Sequence, residues 1–277
     1  MLVLGRVSNL PTVWSNCLAG WWLGGAERTD RLPFLFIGVT LLYVGGMFLN
    51  DAFDVEFDQQ HRKERPIPSG AISLRAVWRW GFGMLFAGEL LLLLVGKAPL
   101  LLGIALVLCI LLYDAIHKLV TFSPVLMGMC RCLVYLIAAA CGADGVTGES
   151  VWCGLALGVY VTGLSFVARG ESLRGPVRYW PAALLAAPIG LAFLLNAGHF
   201  RETAMLLALV YGLWVLRCLR PTFWSMAPNP GRTVSGLLAG IVFVDWLAVT
   251  VTPYWLGVTF LVLFGSALTF QRFAPAT

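Results

Sequence analysis

Four acidic side chains fall within nine residues of this chain, from Asn50 to Asp58, although the whole sequence contains only 14 Asp and Glu. The segment follows a long apolar run, Pro33 to Leu49, and precedes a basic loop with two prolines. Acidic side chains are costly in or beside a membrane. An acidic cluster at the end of an apolar run therefore indicates a functional site.

Three of these acids have a spacing that suits a divalent cation. Asp51, Asp54 and Asp58 stand at i, i+3 and i+7, and residues three and four apart share one face of a helix. Three carboxylates on one face repel one another and raise their own pKa values, and a bound cation removes that repulsion. Oxygen ligands favour Mg²⁺, which commonly takes one or two carboxylates together with phosphate oxygens of a substrate.

The loop after the cluster carries the opposite charge. Arg62, Lys63 and Arg65 follow Asp58 closely, and their side chains can pair directly with a diphosphate. The alternative is a solvated loop that is acidic and then basic by chance. We favour the diphosphate site, because both signs of charge lie together beside an apolar run.

The composition shows what must position these residues. The chain is 59% hydrophobic and 12% charged, against about 25% charged in an ordinary soluble domain, and its mean hydropathy is +0.84. A membrane helix needs about 20 apolar residues, so we predict an all-α, polytopic membrane bundle in a single domain, residues 1–277. The candidate spans are Leu10–Gly25, Pro33–Asn50, Val77–Gly96, Leu100–His117, Ser123–Cys141, Val151–Ala168, Trp180–Ala197, Thr203–Cys218, Val234–Thr250 and Trp255–Phe270.

The number of spans is ten or nine, because only a short turn at Pro253 separates the last two. If Arg6 faces the cytoplasm, fourteen of the 19 Lys and Arg lie on that side and four on the other. This bias fits the positive-inside rule and predicts that the acidic cluster faces the cytoplasm. Topology thus explains the net charge of +5, so the predicted environment is a lipid bilayer and no nucleic acid is expected.

Three motifs together resemble the UbiA superfamily of intramembrane prenyltransferases. The pattern Asn-Asp-x2-Asp-x3-Asp from Asn50 to Asp58, followed by Arg-Pro-x-Pro-x-Gly from Arg65 to Gly70, is similar to the first signature of that family. The segment from Arg6 to Asn16 is similar to its first helix, and Tyr113-x4-Lys118 to its next short motif. The resemblance implies a helical bundle around a central cavity, with Mg²⁺-dependent transfer of a prenyl group from a polyprenyl diphosphate.

The second acidic motif of that family is degenerate here. When Tyr43 is aligned with Tyr160, Asp54 falls on Glu171, while the positions of the other two acids hold Ala168 and Gly175. Arg169 and Arg174 stand close by. Such a variant is similar to a divergent branch of the family from bacterial gene clusters, which predicts a bacterial cell membrane as the location.

Three interpretations of this second motif remain open. One Mg²⁺ could bind at the Asp cluster, with Arg169 or Arg174 replacing the charge of a second ion. Two ions could still bind, with Glu171 as a metal ligand. In the third interpretation the protein has lost catalysis and only binds an isoprenoid or a related lipid.

Further candidates stand on other predicted spans. We predict that Lys118 pairs with the diphosphate, and that Asp114 orients it or accepts a proton from the acceptor. Tyr113 offers an aromatic face to a carbocation. Arg131 lies inside an apolar stretch and needs an anionic partner, either the diphosphate or an acidic side chain. The motifs that carry the resemblance also place Asn16 and Asn50 among the substrate-binding residues.

The leading hypothesis is therefore a membrane prenyltransferase with Mg²⁺ as its cofactor. The alternatives are a catalytically silent isoprenoid-binding or lipid-binding subunit, and a transporter. A transporter is disfavoured because its acidic residues tend to lie near the membrane midplane, whereas this cluster lies at the end of a span.

Overall fold

The structure is a computed structural model, and it describes residues 4–172, 179–195, 200–225, 229–250 and 253–273. Of residues 170–172 and 200 it describes the backbone alone. Within these ranges the chain forms helices and the turns between them, and no strand occurs. The prediction of an all-α fold is confirmed.

Twelve α-helices follow one another through the described ranges. They are α1 (Leu10–Leu23), α2 (Leu32–Phe53), α3 (Val55–His61), α4 (Leu74–Val95), α5 (Lys97–Ile116), α6 (Ser123–Ala140), α7 (Gly148–Ser172), α8 (Trp180–Leu184), α9 (Ala187–Leu195), α10 (Phe200–Phe223), α11 (Pro230–Ala248) and α12 (Tyr254–Phe270). Short 3₁₀ turns precede α1 and α2. Every predicted span coincides with one of these helices or, for α8 and α9, with a broken pair.

Seven segments in the described part of the chain are long and apolar enough to cross a membrane. They correspond to all or most of α2, α4, α5, α6, α7, α10 and α11. The other three predicted spans are shorter, since α1 has 14 residues and α12 has 17, and the apolar segment Trp180–Leu195 is interrupted. Pro188 explains the interruption, because it cannot donate a hydrogen bond to the carbonyl of Leu184 and its ring would clash there.

The centre of the bundle is formed by α1, α6, α7 and α11, which pack against one another. α2, α4 and α5 cover one side of this centre, and α9, α10 and α12 cover the other. Close approach depends on glycine at the α6–α7 contact, where a Cβ on Gly128 would collide with the carbonyl oxygen of Gly158. Small residues at helix contacts let backbones approach in this way within a membrane.

The turns of the bundle bring one end of several helices together. The last residues of α2 and α5, the first residues of α6 and the segment before α1 all meet at this end, as contacts of Arg6, Asn50 and His117 show. The acidic cluster lies here, and we call this end of the bundle the carboxylate end.

Candidate active site at the carboxylate end

The three aspartates of the cluster are buried where α2 passes into α3. α2 ends at Phe53, Asp54 forms the junction, and α3 begins at Val55. Asp51, Asp54 and Asp58 are 6%, 8% and 2% exposed, whereas Glu56 in the same segment is exposed. The i, i+3, i+7 spacing therefore turns these three acids inward, as a helical face predicts.

One guanidinium group joins two of the carboxylates. Nη1 of Arg65 donates to Oδ1 of Asp51 at 2.9 Å and to Oδ2 of Asp58 at 3.1 Å. The remaining Oδ1 of Asp58 is buried and has no hydrogen-bond partner among the described residues. Burial raises the pKa of Asp58, and the charge of Arg65 opposes that rise.

Asp54 has a different set of partners. Its Oδ1 lies 2.6 Å from Nζ of Lys118 and 3.2 Å from Nε2 of His117. Burial acts to raise the pKa of Asp54, but the hydrogen bonds from His117 and Lys118 and their charges outweigh burial and lower it to about 2. The structure thus divides the cluster, with Asp54 facing the α5–α6 loop.

A second polar layer lies directly beside the aspartates. Nδ2 of Asn50 donates to Oδ1 of Asp114 at 2.9 Å, and Oδ1 of Asn50 accepts from Nη2 of Arg6 at 3.3 Å. The same Arg6 nitrogen lies 3.8 Å from Oδ1 of Asp51. Oδ2 of Asp114 is buried and has no hydrogen-bond partner within the described ranges. Asn50 and Asp114, both predicted site residues, are therefore in contact.

Aromatic rings border the charged groups. Tyr113 stacks on the ring of His117 with 5.1 Å between centroids. Nζ of Lys118 lies 5.1 Å from the centroid of Phe57, and the guanidinium of Arg62 lies 5.8 Å from it. Arg62 therefore contacts the ring of Phe57 and forms no ion pair with the aspartates among the described residues.

Lys63, predicted to bind the diphosphate together with Arg62 and Arg65, has an exposed side chain. The structure shows neither an ion pair nor a hydrogen bond for it within the described ranges. Of the three basic loop residues, Arg65 alone meets the aspartates.

The carboxylates at this end of the bundle include one pair that could bind a divalent cation. Among the described residues, no three His, Cys, Asp or Glu side chains are close enough to hold one ion together. Asp51 and Asp58, however, are bridged by a single nitrogen of Arg65, so one positive charge can satisfy both. Mg²⁺ commonly uses one or two carboxylates and completes its shell with phosphate oxygens and water. The pair Asp51 and Asp58 fits that requirement.

Arg131 and Asn16, both predicted to bind substrate, lie in a buried network away from the aspartates. Nη1 of Arg131 donates to Oδ1 of Asn16 at 2.7 Å, and Nη2 donates to Oγ1 of Thr12 at 3.2 Å. Nδ2 of Asn16 donates to both carboxylate oxygens of Asp245 at 2.9 and 2.8 Å. Ser15 also donates to Asp245. The anion that a buried arginine needs is thus supplied through the amide of Asn16.

The residues of the degenerate second motif are placed only in part. Arg169 lies near the end of α7, and its Nη1 donates to the carbonyl of Val120 in the α5–α6 loop at 2.8 Å and to Oγ of Ser123, the first residue of α6, at 2.8 Å. The side chain of Glu171, predicted as a metal ligand, and the whole of Arg174 lie outside the described residues. Their predicted roles stay predictions.

The model of the UbiA prenyltransferase family matches residues 8–230, which is most of the chain. The chain belongs to the UbiA prenyltransferase family. With seven apolar helices of spanning length in the described ranges, it is an integral membrane protein. The resemblance drawn from the three sequence motifs is confirmed.

The alignments with relatives of known name cover only part of this chain. A digeranylgeranylglyceryl phosphate synthase from Methanothrix thermoacetophila is 32% identical over 117 residues, which are 42% of this chain and 44% of the relative. A protein of the same name from Metallosphaera sedula is 36% identical over 114 residues, 40% of either chain. The match therefore spans less than half the length of each of these two relatives.

Solved structures show the same fold over nearly the whole chain. A UbiA homologue from Archaeoglobus fulgidus, bound to GPP and Mg²⁺, has a TM-score of 0.64 at 14% identity and covers 96% of this chain and 97% of its own. A structure described as digeranylgeranylglyceryl phosphate synthase in membranes has a TM-score of 0.63 at 18% identity and covers 97% of both chains. At these identities the likeness establishes the fold alone.

Sequence reasoning missed two residues of this end of the bundle. Arg6 was noted within the first-helix motif but not as a site residue, and it contacts both Asn50 and Asp51. His117 was not singled out from the sequence as a site residue, and it contacts Asp54. For His117 a signal was present, since it directly precedes Lys118. For Arg6 the signal was its place in the motif.

Proposed function

We propose that this protein transfers a prenyl group from a polyprenyl diphosphate to an acceptor within the membrane. The observation that carries the proposal is the carboxylate end itself, where buried Asp51, Asp54 and Asp58 are each paired with a cation at the end of an apolar bundle. A prenyl diphosphate matches this arrangement, because it has a charged head and an apolar tail. The family supports prenyl transfer as the type of reaction.

Each group at the site has a task in this proposal. Asp51 and Asp58 would hold Mg²⁺, which when bound would neutralise the leaving diphosphate. Arg6, Arg65 and Lys118 would pair with the diphosphate oxygens, since their nitrogens already surround the three carboxylates. These cations would pair with the carboxylates in the free protein and with the diphosphate oxygens when substrate is bound, so they would have an anionic partner in both states.

The acceptor side of the site is assigned to the second polar layer. An acceptor hydroxyl loses a proton when its oxygen is alkylated, and Oδ2 of Asp114 is a buried oxygen without a hydrogen-bond partner among the described residues. Asn50 donates a hydrogen bond to the other oxygen of that carboxyl, which fixes the orientation of the Asp114 side chain. The ring of Tyr113, stacked on His117, offers a face to positive charge on the allylic carbon.

The acceptor class is proposed from the relatives. Those named above make a glyceryl phosphate that carries two geranylgeranyl groups, so a prenylated glyceryl phosphate is the first acceptor to test. Aromatic and other polar lipid acceptors follow. We further propose that the site faces the cytoplasm, on the charge bias of the loops, in a bacterial cell membrane, and that residues 1–277 form one domain.

Turnover by the purified chain in detergent tests the proposal. Allylic diphosphates of increasing length would be combined with each acceptor, with Mg²⁺ or with EDTA. We expect Mg²⁺-dependent product, and we expect Asp54→Ala to reduce turnover at least ~100-fold, because the carboxylate that holds Lys118 and His117 at the site is removed. Glu56→Ala is the matched control, since Glu56 is an exposed acid in the same segment.

Two results would contradict the proposal. If Asp54→Ala is as active as Glu56→Ala, the carboxylate end is not the site. If the wild type binds a prenyl diphosphate but turns over none with any acceptor, the protein is the silent lipid-binding subunit.

A further inference from the structure

The loop between α5 and α6 carries His117 and Lys118, the two side chains that contact Asp54, yet little of the loop is buried. Leu119 is 82% exposed and Phe122 is 72% exposed. Short backbone hydrogen bonds within the loop, from the amides of Leu119 and Val120 to the carbonyl of Ile116, form a local turn. Apolar burial therefore does not hold this loop against the bundle, and another contact must fix the positions of His117 and Lys118.

Arg169 supplies such a contact from α7. Its Nη1 lies 2.8 Å from the carbonyl oxygen of Val120, 3.3 Å from that of Thr121 and 2.8 Å from Oγ of Ser123. Hydrogen bonds from a charged donor are stronger than neutral ones. One guanidinium group thus collects three acceptors of the loop and of the first turn of α6.

A hydrogen bond then connects this contact to the site. Oγ of Ser123, which is buried, donates to the carbonyl oxygen of His117 at 3.2 Å. The ring of His117 and the amine of Lys118 both contact Oδ1 of Asp54. A continuous path therefore runs from Arg169 through Ser123 to the backbone of His117 and on to Asp54.

We infer that Arg169 is a positioning residue, which fixes the α5–α6 loop so that His117 and Lys118 meet Asp54 and the diphosphate. The inference rests on the proposed function, and it assigns Arg169 a role other than direct contact with substrate. The rigid fork of an arginine suits several fixed acceptors better than the single ammonium of a lysine does. An arginine of the degenerate second motif thereby fixes the loop whose side chains contact Asp54 of the first motif.

The kinetic consequence is a weaker hold on the diphosphate with little change in the chemical step. In Arg169→Gln we expect the KM for the allylic diphosphate to rise about tenfold, as charge-assisted hydrogen bonds are lost, and kcat to stay within about threefold. Arg169→Lys should restore part of the loss. Arg75→Gln is the matched control, because Arg75 is an exposed arginine at the start of α4, and it should leave KM unchanged.

A double-mutant cycle separates positioning from direct contact. If Arg169 acts through Lys118, adding Arg169→Gln to Lys118→Gln should change KM less than about twofold, because the effects of coupled residues are not additive. If Arg169 touches substrate itself, the second substitution should cost a further factor of about ten, and that result would overturn the inference.

Hydrogen–deuterium exchange tests the same idea without turnover. The peptide containing residues 117–123 should exchange faster in Arg169→Gln than in the wild type or in Arg75→Gln, because the loop is released. Unchanged exchange would refute the positioning role. If no diphosphate is turned over by the wild type while loop exchange still rises in Arg169→Gln, the proposed function fails and the contact between Arg169 and the loop stands.

Discussion

Replacing Arg65 with glutamine tests whether Mg²⁺ and a protein cation use the same two carboxylates. Arg65 is the group that bridges Asp51 and Asp58, at 2.9 and 3.1 Å. Its side chain is 18% exposed, and those of the aspartates are 8% and 2% exposed. Without this charge, two buried carboxylates lie together, and the remaining compensation is Arg6 at 3.8 Å from Asp51 and the more distant charge of Arg62 on Asp58.

The size of the effect follows from burial. Removing one partner of a buried ion pair costs about 3–5 kcal/mol, and the partial exposure of Arg65 and the nearby Arg6 place the expected loss near the lower value. A loss of about 3 kcal/mol corresponds to a fall in the melting temperature of roughly 6 °C or more for a chain of this size. In EDTA, the Arg65→Gln protein should therefore melt clearly below the wild type.

Addition of Mg²⁺ should reverse most of that loss. An ion that binds only the folded state stabilises it according to the ion concentration and its dissociation constant. In Arg65→Gln the carboxylates no longer have a competing guanidinium, so Mg²⁺ should raise the melting temperature more than it does in the wild type. Thermal unfolding in detergent, followed by tryptophan fluorescence with and without Mg²⁺, measures both effects.

Arg62→Gln is the matched control, because Arg62 lies in the same loop but contacts the ring of Phe57. It should change the melting temperature little, and its response to Mg²⁺ should equal that of the wild type. An equal Mg²⁺ response in Arg65→Gln and the wild type would refute the assignment of Asp51 and Asp58 as the ion-binding pair.

Two further predictions concern stability. Gly128→Ala should lower the melting temperature strongly, because the new Cβ would collide with the carbonyl of Gly158, whereas Gly212→Ala, with no atom near its Cβ within 4 Å, should be neutral or slightly stabilising. The second concerns pH. Burial lowers the pKa of His117, but its hydrogen bond to Asp54 and the charge of Asp54 outweigh burial, and the pKa is raised above 6.5. Its protonated form therefore adds stability below that pH, which is lost as the pH rises through the raised pKa. In EDTA the wild type should lose more melting temperature between about pH 6 and pH 9 than His117→Gln, and equal losses would refute this contribution.

The sequence by itself determined the class of fold and the position of the acidic cluster. Apolar runs of about 20 residues predict membrane helices wherever they occur, because the length of a span follows from the thickness of the bilayer. The inward direction of Asp51, Asp54 and Asp58 was equally readable, since a spacing of i, i+3, i+7 is a local property of a helix. Neither inference depends on how the helices pack.

Only the tertiary structure decided which charges meet. Arg131 was expected to need an anion, but its connection to Asp245 runs through Asn16, which lies 115 residues from Arg131 and 229 from Asp245. Spacing along the chain carries no information about such distant neighbours, because helix packing brings them together.

The same limit applied to the cluster and to the second motif. Asp54 belongs with His117 and Lys118, while Asp51 and Asp58 share Arg65, and this division depends on where the α5–α6 loop lies. Arg169 was one of two arginines expected to replace the charge of a second ion, yet its hydrogen bonds go to that loop. Local patterns set which residues face inward, and the packing of α5, α6 and α7 sets the partners that they find there.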